Sequence, residues 1–214
     1  MPIAESVATR DPVRHYYGSA VGAFVDPFRR RKLKYESALE RNWLQVLVAS
    51  PDVRNIQEQQ ELDIPNDAGR STRHVFDIVV EQTDGIIKAK ACKYKRDVTP
   101  ELEDLIQRAA DSVGDAFADF YEIASESGLT RTMIWNARRV ISCALDFDRG
   151  AQEAIHNALS GLGPRVSLAE CDAIVGDGER GSRAAISLIQ AGLLEVPAGG
   201  RIGFITELRN LFTN

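Results

Sequence analysis

Hydrophobic and polar positions near the start of the chain predict one amphipathic helix after a lead-in without a pattern. Residues 1–28 show no clear period. From Tyr35 onward, apolar side chains recur with the 3.6-residue spacing of a single helix face. Pro51 and Asp52 are expected to end this helix, because a proline removes an amide donor and disfavours helix in the residue before it. The apolar face consists of Leu39, Trp43, Val46 and Leu47.

Three extended segments are predicted after this helix. Residues 53–64 are polar and show no helical period, while residues 75–81 are rich in Val, Ile and Phe, which favour strands. Residues 86–94 form a second strand of the same kind. Two turns separate these segments, one at Asn66, Asp67 and Gly69 and a hairpin turn at Thr83, Asp84 and Gly85.

A second, longer helix is predicted to begin at Thr99. Its hydroxyl group can cap the helix, and Pro100 follows where no amide hydrogen is needed. Apolar positions continue at helical spacing to Ile123, and Gly128 is expected to close the helix. Residues 130–134 then predict a further strand.

Beyond residue 136 the pattern changes to short helices. The first spans residues 151–159, the second starts at a capping box made by Ser167 and Glu170, and the third covers residues 180–191. These helices are followed by two short extended segments, residues 194–196 and 201–205, which are joined by a turn at residues 197–200.

The order of three helices and a ribbon is typical of a winged helix-turn-helix, which binds DNA. A helical dimerisation module would give a similar pattern. We therefore predict a larger domain over residues 1–135 and a smaller one over residues 136–214.

Composition is that of an ordinary globular protein, with 44% hydrophobic and 27% charged residues. No apolar run approaches the roughly 20 residues that a membrane span needs, and residues 1–14 lack a signal sequence, so we expect a cytosolic protein without a membrane partner. The odd number of cysteines, without C-x-x-C spacing, argues against a disulfide framework or a zinc site.

The net charge of -5 counts against nucleic-acid binding, but the basic residues are unevenly distributed. Residues 29–34 and 88–96 each contain five lysines or arginines. Either run alone is typical of a solvated surface, whereas two runs beside one candidate site favour contact with DNA phosphates. The candidate DNA-binding residues are Arg30, Arg31, Lys32, Lys90 and Lys95, with Arg180, Ser182, Arg183 and Arg201 in the smaller domain.

Candidate catalytic residues lie on the first helix and the two strands. Glu40 and Asp77 are carboxylates of the kind that hold Mg²⁺, and Lys93 is an amine able to orient an attacking water. Residues 91 and 93 share a strand face, and a nuclease would be expected to have an acid at position 91. This sequence has Ala91 instead. Taken singly, Glu40, Asp77 and Lys93 are each more typical of an ordinary polar surface position than of a catalytic site, and their joint spacing is what favours the catalytic interpretation.

Several short motifs resemble the TnsA family of transposon-end endonucleases. The sequence Y-E-S-A-L-E-R begins at Tyr35, P-D-V begins at Pro51, and Q-E-Q begins at Gln57. F-D-I-V from Phe76 and A-C-K from Ala91 then stand where that family has its catalytic Asp and its Glu or Gln, x, Lys element. The likeness covers roughly residues 30–210 and is strongest over 35–95.

This resemblance implies an α/β (α+β) fold with a restriction-endonuclease-like mixed sheet flanked by helices, of the PD-(D/E)xK type, followed by the winged helix. It implies a Mg²⁺-dependent endonuclease, with Mn²⁺ able to substitute, that cuts one strand at transposon ends in the prokaryotic cytosol. The implied partners are double-stranded DNA, a TnsB-like DDE transposase and a TnsC-like AAA+ regulator. Glu40, Asp77 and position 91 would form the metal site, with Lys93 beside the attacking water.

Ala91 departs from the family pattern, and two explanations stay open. It is either a substitution that prevents cleavage or the mark of a natural, degenerate nuclease retained for binding. A less favoured third is that Glu36 or Glu81 supplies the missing acid. Two other functions also stay open, a non-catalytic DNA-binding or adaptor subunit and a stand-alone restriction-like nuclease.

Overall fold

The computed structural model describes residues 2–12, 20–65, 70–176, 178–203 and 205–212. The chain divides into two compact units, the first made of residues 1–47 and 52–130 and the second of residues 48–51 and 131–214. The turn predicted at Asn66, Asp67 and Gly69 lies outside the described residues. No helix in the described ranges combines the length and the apolar character needed to cross a membrane.

Over its described residues, the first unit contains six strands and two α-helices. A hairpin comes first, followed by a helix, three consecutive strands, a second helix and a last strand. The elements are β1 (Gly22–Asp26), β2 (Arg31–Tyr35), α1 (Ala38–Ala49), β3 (Val53–Pro65), β4 (Ser71–Gln82), β5 (Ile87–Cys92), α2 (Pro100–Ser112) and β6 (Phe120–Ala124).

A mixed four-stranded sheet in the order β3-β4-β5-β6 forms the centre of this unit. β3, β4 and β5 are antiparallel neighbours, whereas β6 runs parallel to β5 after the connection through α2. The predicted hairpin turn between β4 and β5 is confirmed: the amide of Gln82 donates to the carbonyl of Ile86, and Gly85 has a φ of 92°. Mixed α+β architecture with helices flanking the sheet is therefore what the sequence builds.

The two faces of β5 differ because successive side chains of a strand point to opposite sides. Ala89 and Ala91 belong to an apolar cluster with Ile106 and Ala109 of α2. Lys90 points the other way, and its Nζ lies 5.3 Å from the ring centroid of Trp43 on α1. The two helices thus cover opposite faces of the sheet.

The lead-in, for which the sequence pattern predicted no element, contains regular structure. Gly22 to Asp26 pair with Arg31 to Tyr35 as a two-stranded antiparallel ribbon. Because β2 continues to Tyr35, α1 begins three residues later than the apolar period indicated. The hydroxyl of Ser37 accepts the amide of Glu40 at 3.1 Å, which satisfies one donor of the first turn.

The predicted extent of the long second helix was wrong. Thr99 caps α2 as predicted, accepting the amide of Leu102, but the helix ends at Ser112. Gly114 has a φ of 53°, a conformation that favours glycine and stops the helix. The apolar residues near Ile123 therefore belong to β6. The strand expected over residues 130–134 is instead the start of a helix, because the following residues bury one helical face.

In the part of the second unit that the structure describes, there are four α-helices and a small antiparallel sheet. The helices are α3 (Arg131–Leu145), α4 (Arg149–Ala158), α5 (Leu168–Val175) and α6 (Arg180–Ser187), and the strands are β7 (Arg165–Ser167), β8 (Leu194–Glu195) and β9 (Glu207–Asn210). The sheet has the order β7-β9-β8. The capping box of Ser167 and Glu170 is confirmed, with both of its hydrogen bonds present.

The ribbon of this unit differs from the prediction. β8 pairs with residues 207–210, not with residues 201–205. The earlier segment is held by α3, since the side-chain amide of Asn136 donates to the carbonyl of Gly200 at 2.9 Å and its oxygen accepts the amide of Ile202 at 2.8 Å. Side-chain bonds that a local pattern does not reveal replace the expected strand pairing.

Candidate carboxylate site

Glu40 and Asp77 come together in the first unit through one shared partner. The side-chain nitrogen Nε2 of Gln59 donates to Glu40 Oε2 at 3.0 Å and to Asp77 Oδ1 at 3.2 Å. Gln59 is fully buried, and Glu40 is only 5% exposed. A helix residue and a strand residue, far apart in the sequence, therefore share one buried polar site.

Local structure fixes each carboxylate. Glu40 stands in the first turn of α1, where its Oε2 also accepts the backbone amide of Glu36 at 2.7 Å. Asp77 lies on β4, and its Oδ2 accepts the backbone amide of Cys92, at the end of β5, at 2.7 Å. Backbone amides therefore position both carboxylates, one from the residue two before α1 and one from the last residue of β5.

Electrostatics at this site disfavour two negative charges. Burial, followed by the charge of Glu40, raises the pKa of Asp77 to about 7. Burial also raises the pKa of Glu40. A buried acid pair of this kind holds a proton near neutral pH unless a cation replaces it.

The thiol of Cys92, at the end of β5, is affected by the charges of this carboxylate pair. Burial, with added contributions from the charges of Asp77 and Glu40, raises the pKa of its thiol well above the usual value. Lys90, two residues earlier, opposes that rise. The side chains of Lys90 and Cys92 thus share the sheet face that looks toward α1, as their alternation with Ala89 and Ala91 requires.

Ala91 does not join the carboxylates. It is 5% exposed and packs in the apolar cluster beneath α2. Lys93 follows the last residue of β5 and is exposed, with its backbone amide donating to the carbonyl of Ala124 at 3.1 Å. Of the four predicted catalytic positions, Glu40 and Asp77 therefore share a hydrogen-bond donor, the side-chain amide of Gln59. Ala91 and Lys93 have no hydrogen bond to this pair among the contacts described above.

The basic candidates of the first unit are largely engaged within the protein. Lys90 is only 7% exposed and forms an ion pair with Glu122, so it is not a surface residue. Arg31 donates to the carbonyl of Ile56, and Lys32 Nζ lies 2.8 Å from Glu5 Oε1. Arg30 and Lys95 are exposed.

Most of the candidate DNA-binding residues of the second unit also bond to other groups of the protein. Arg180 lies 2.6 Å from Asp148, and Arg183 lies 2.9 Å from Asp146. The amide of Ser182 donates to Asp172. Arg201 is exposed and stacks on an aromatic ring, with its guanidinium carbon 3.9 Å from the ring centroid of Trp135.

Sequence reasoning missed the roles of Gln59 and Arg10. Gln59 was visible only as the last letter of the Q-E-Q motif. Arg10 lies in the unpatterned N-terminal segment, and its guanidinium donates to Gln59 Oε1 at 3.2 Å and to Glu36 Oε1 at 2.8 Å. No periodicity marks a residue whose importance comes from a contact across 49 positions.

No family model matches the chain, and no curated protein matches it either.

The residues present fit a hard divalent cation through carboxylate oxygens. Among the described residues, no group of three or more His, Cys, Asp or Glu side chains is arranged to hold a metal. Mg²⁺, however, commonly uses one or two carboxylates and keeps several of its waters. Glu40 and Asp77 are the donors this site offers.

Proposed function

We propose that this protein is a metal-dependent DNA endonuclease of the TnsA type, which cuts one strand at transposon ends. The observation that carries the proposal is the buried Glu40–Asp77 pair, linked by Gln59 and held by backbone amides. Burying two carboxylates in one site costs free energy that a cation can offset, and carboxylates with raised pKa values cluster at functional sites.

The fold is compatible with this proposal. A mixed four-stranded sheet flanked by helices is the architecture implied by the resemblance over residues 35–95. Glu40 comes from the first helix and Asp77 from a central strand, as the same resemblance implies.

Mg²⁺ or Mn²⁺ bound by Glu40 and Asp77 would neutralise charge on a DNA phosphate and lower the pKa of an attacking water. Lys93 lies next to β5 and is exposed, so its amine is available to a phosphate or a water at the surface. Arg30 and Lys95 are exposed basic residues of the same unit and are proposed to contact the DNA backbone.

For the second unit we propose a winged helix. Three helices, α4 to α6, are followed by two short strands around a loop, and a three-stranded sheet includes the strand before α5. In this arrangement Arg201 stands in the wing and Arg180, Ser182 and Arg183 begin the recognition helix. Because Arg180 and Arg183 are paired with aspartates, Arg201 is the stronger candidate for DNA contact.

A second candidate function is a non-catalytic DNA-binding or adaptor subunit of a transposition complex. It is favoured by Ala91, which places no acid at the expected position, and by the ion pair that occupies Lys90. In both cases a DDE transposase and an AAA+ regulator are the proposed partners, and the prokaryotic cytosol is the proposed location.

Nicking of a supercoiled plasmid with Mg²⁺ or Mn²⁺, with and without the partner transposase, tests the proposal. Because Ala91 packs in the apolar cluster and the Glu40–Asp77 pair is intact, we expect nicking despite the missing acid. Asp77→Asn is expected to reduce this nicking by about 100-fold, because the cation loses a ligand. The matched control is Asp63→Asn, which removes an exposed strand carboxylate paired with Arg73 and is expected to leave nicking unchanged. Absence of nicking under every condition, with DNA binding retained, would overturn the endonuclease proposal in favour of the adaptor.

A further inference from the structure

Gln59 is held in one orientation by groups on both sides of its amide. Its Nε2 faces the two carboxylates, and its Oε1 accepts from Arg10 at 3.3 Å (Nε) and 3.2 Å (Nη2). A guanidinium only donates hydrogen bonds, so Arg10 requires the oxygen of the amide to face it. The nitrogen is thereby directed at Glu40 and Asp77, at the place between them that a cation would take.

The N-terminal segment, residues 2–12, is what brings Arg10 to this position. Thr9 donates its amide to the carbonyl of Gln59 at 3.1 Å and its hydroxyl to the same oxygen at 2.8 Å. Ser6 donates to Glu58 at 2.5 Å. The segment lies along β3, and the backbone of Gln59 there has a φ of 52°, which is unusual for a residue other than glycine.

We propose that Gln59 is a further metal ligand, and that Arg10 keeps it in the orientation that excludes the metal. A half-turn of the side-chain amide exchanges its oxygen and nitrogen, which have nearly the same shape. The oxygen then faces Glu40 and Asp77 as a third ligand of the kind that hard cations prefer. With Arg10 in place, that half-turn would set two donors against each other.

Charge acts in the same direction. The Arg10 guanidinium lies beside a site that would hold a divalent cation, and like charges a few ångströms apart repel by on the order of 1 kcal/mol or more at an effective dielectric of about 20. Withdrawal of the N-terminal segment, or loss of the Arg10 charge, is therefore expected to tighten metal binding. This inference rests on the proposed function, because it assigns a ligand to the same site.

Mn²⁺ binding to the full chain, measured by the loss of the free-ion electron paramagnetic resonance signal at pH 8, tests the inference. We expect Arg10→Ala to bind Mn²⁺ about tenfold more tightly than the wild type, which corresponds to about 1.4 kcal/mol. Lys34→Ala is the matched control, since it removes another ion pair of the segment, to Asp11, without touching Gln59. Its affinity is expected to equal that of the wild type.

Two further variants test the ligand itself. Gln59→Leu in the Arg10→Ala background removes the amide oxygen and is expected to abolish the tenfold gain. Gln59→Glu keeps an oxygen and removes the nitrogen, so it is expected to bind Mn²⁺ more tightly than the wild type. This variant still tests the ligand if Gln59→Leu fails to fold. Thermal melts of every variant identify folding defects.

The outcomes separate the inference from the proposed function. Binding that requires Asp77 but is unchanged or weakened by Arg10→Ala would overturn the inference and leave the metal site standing. A gain that survives Gln59→Leu, or weaker binding by Gln59→Glu, would also overturn it. No binding by the wild type or by Arg10→Ala would overturn both.

Discussion

On one face of β5, Ala89 and Ala91 pack in an apolar cluster beneath α2, while on the other Lys90 and Cys92 lie on the side of α1 and the carboxylates. The two faces are separated by a single residue of register. An acid added at position 91 would enter the apolar cluster, whereas one added at position 92 would join Glu40 and Asp77. Spacing along a strand therefore shows which residues share a face of the sheet, but it does not show which of the two faces holds the carboxylate site.

The largest effect is expected from placing an acid on each face in turn. Ala91→Glu should lower the free energy of unfolding by on the order of 4 kcal/mol, because it buries a carboxylate without a partner. Urea denaturation measures this loss. We expect Mn²⁺ to leave the instability of Ala91→Glu unchanged.

The matched variant is Cys92→Asp, on the carboxylate face. It should be less destabilised than Ala91→Glu at pH 8 and should regain stability when Mn²⁺ is added, because a third acid then shares the cation. If Mn²⁺ restores Ala91→Glu and not Cys92→Asp, the assignment of the two faces is wrong.

A smaller effect is expected in the pH dependence of the free energy of unfolding, to which Asp77 on the carboxylate face contributes. Its pKa is raised to about 7 in the folded protein, so between the unfolded value near 4 and pH 7 the folded state binds more protons. The free energy of unfolding should therefore be highest below this window and fall as the pH rises through it, by about 1.4 kcal/mol for each unit of pKa difference. Asp77→Asn should flatten this dependence.

Urea denaturation at pH 5 and pH 8, without divalent cations, measures the difference between the wild type and Asp77→Asn. Asp63→Asn is again the control, because Asp63 is exposed and paired with Arg73. Parallel pH profiles for the wild type and Asp77→Asn would contradict the burial of an ionisable pair at this site.

The smallest effect distinguishes two lysines on the same face of β5. Lys90 is buried, pairs with Glu122 and stacks over Trp43, whereas Lys88 is only partly buried, with its Nζ 5.9 Å from the ring centroid of Phe120. We expect Lys90→Ala to lower the free energy of unfolding by about 1–2 kcal/mol and Lys88→Ala by about 0.5 kcal/mol. Equal losses by thermal or urea unfolding would show that the contacts of Lys90 add nothing.

Local sequence predicted the parts of the fold whose signals lie within a few residues. The cap at Thr99, the capping box at Ser167 and the glycine turn at Gly85 are each formed as expected. The C-terminal end of the long helix was missed because the apolar spacing continued beyond Gly114, whose backbone conformation stops the helix. A glycine in a left-handed conformation therefore ends a helix even where apolar residues continue at helical spacing.

The amino-acid sequence by itself determined the helix that carries Glu40, the strand that carries Asp77 and the turn that orders β4 and β5. Only the tertiary structure decided that Gln59 lies between the two acids, that Arg10 fixes its amide and that Ala91 faces away from them. The physical reason is that short-range patterns depend on neighbouring residues, whereas burial, pKa and side-chain orientation at the site depend on groups that only folding brings within hydrogen-bond distance.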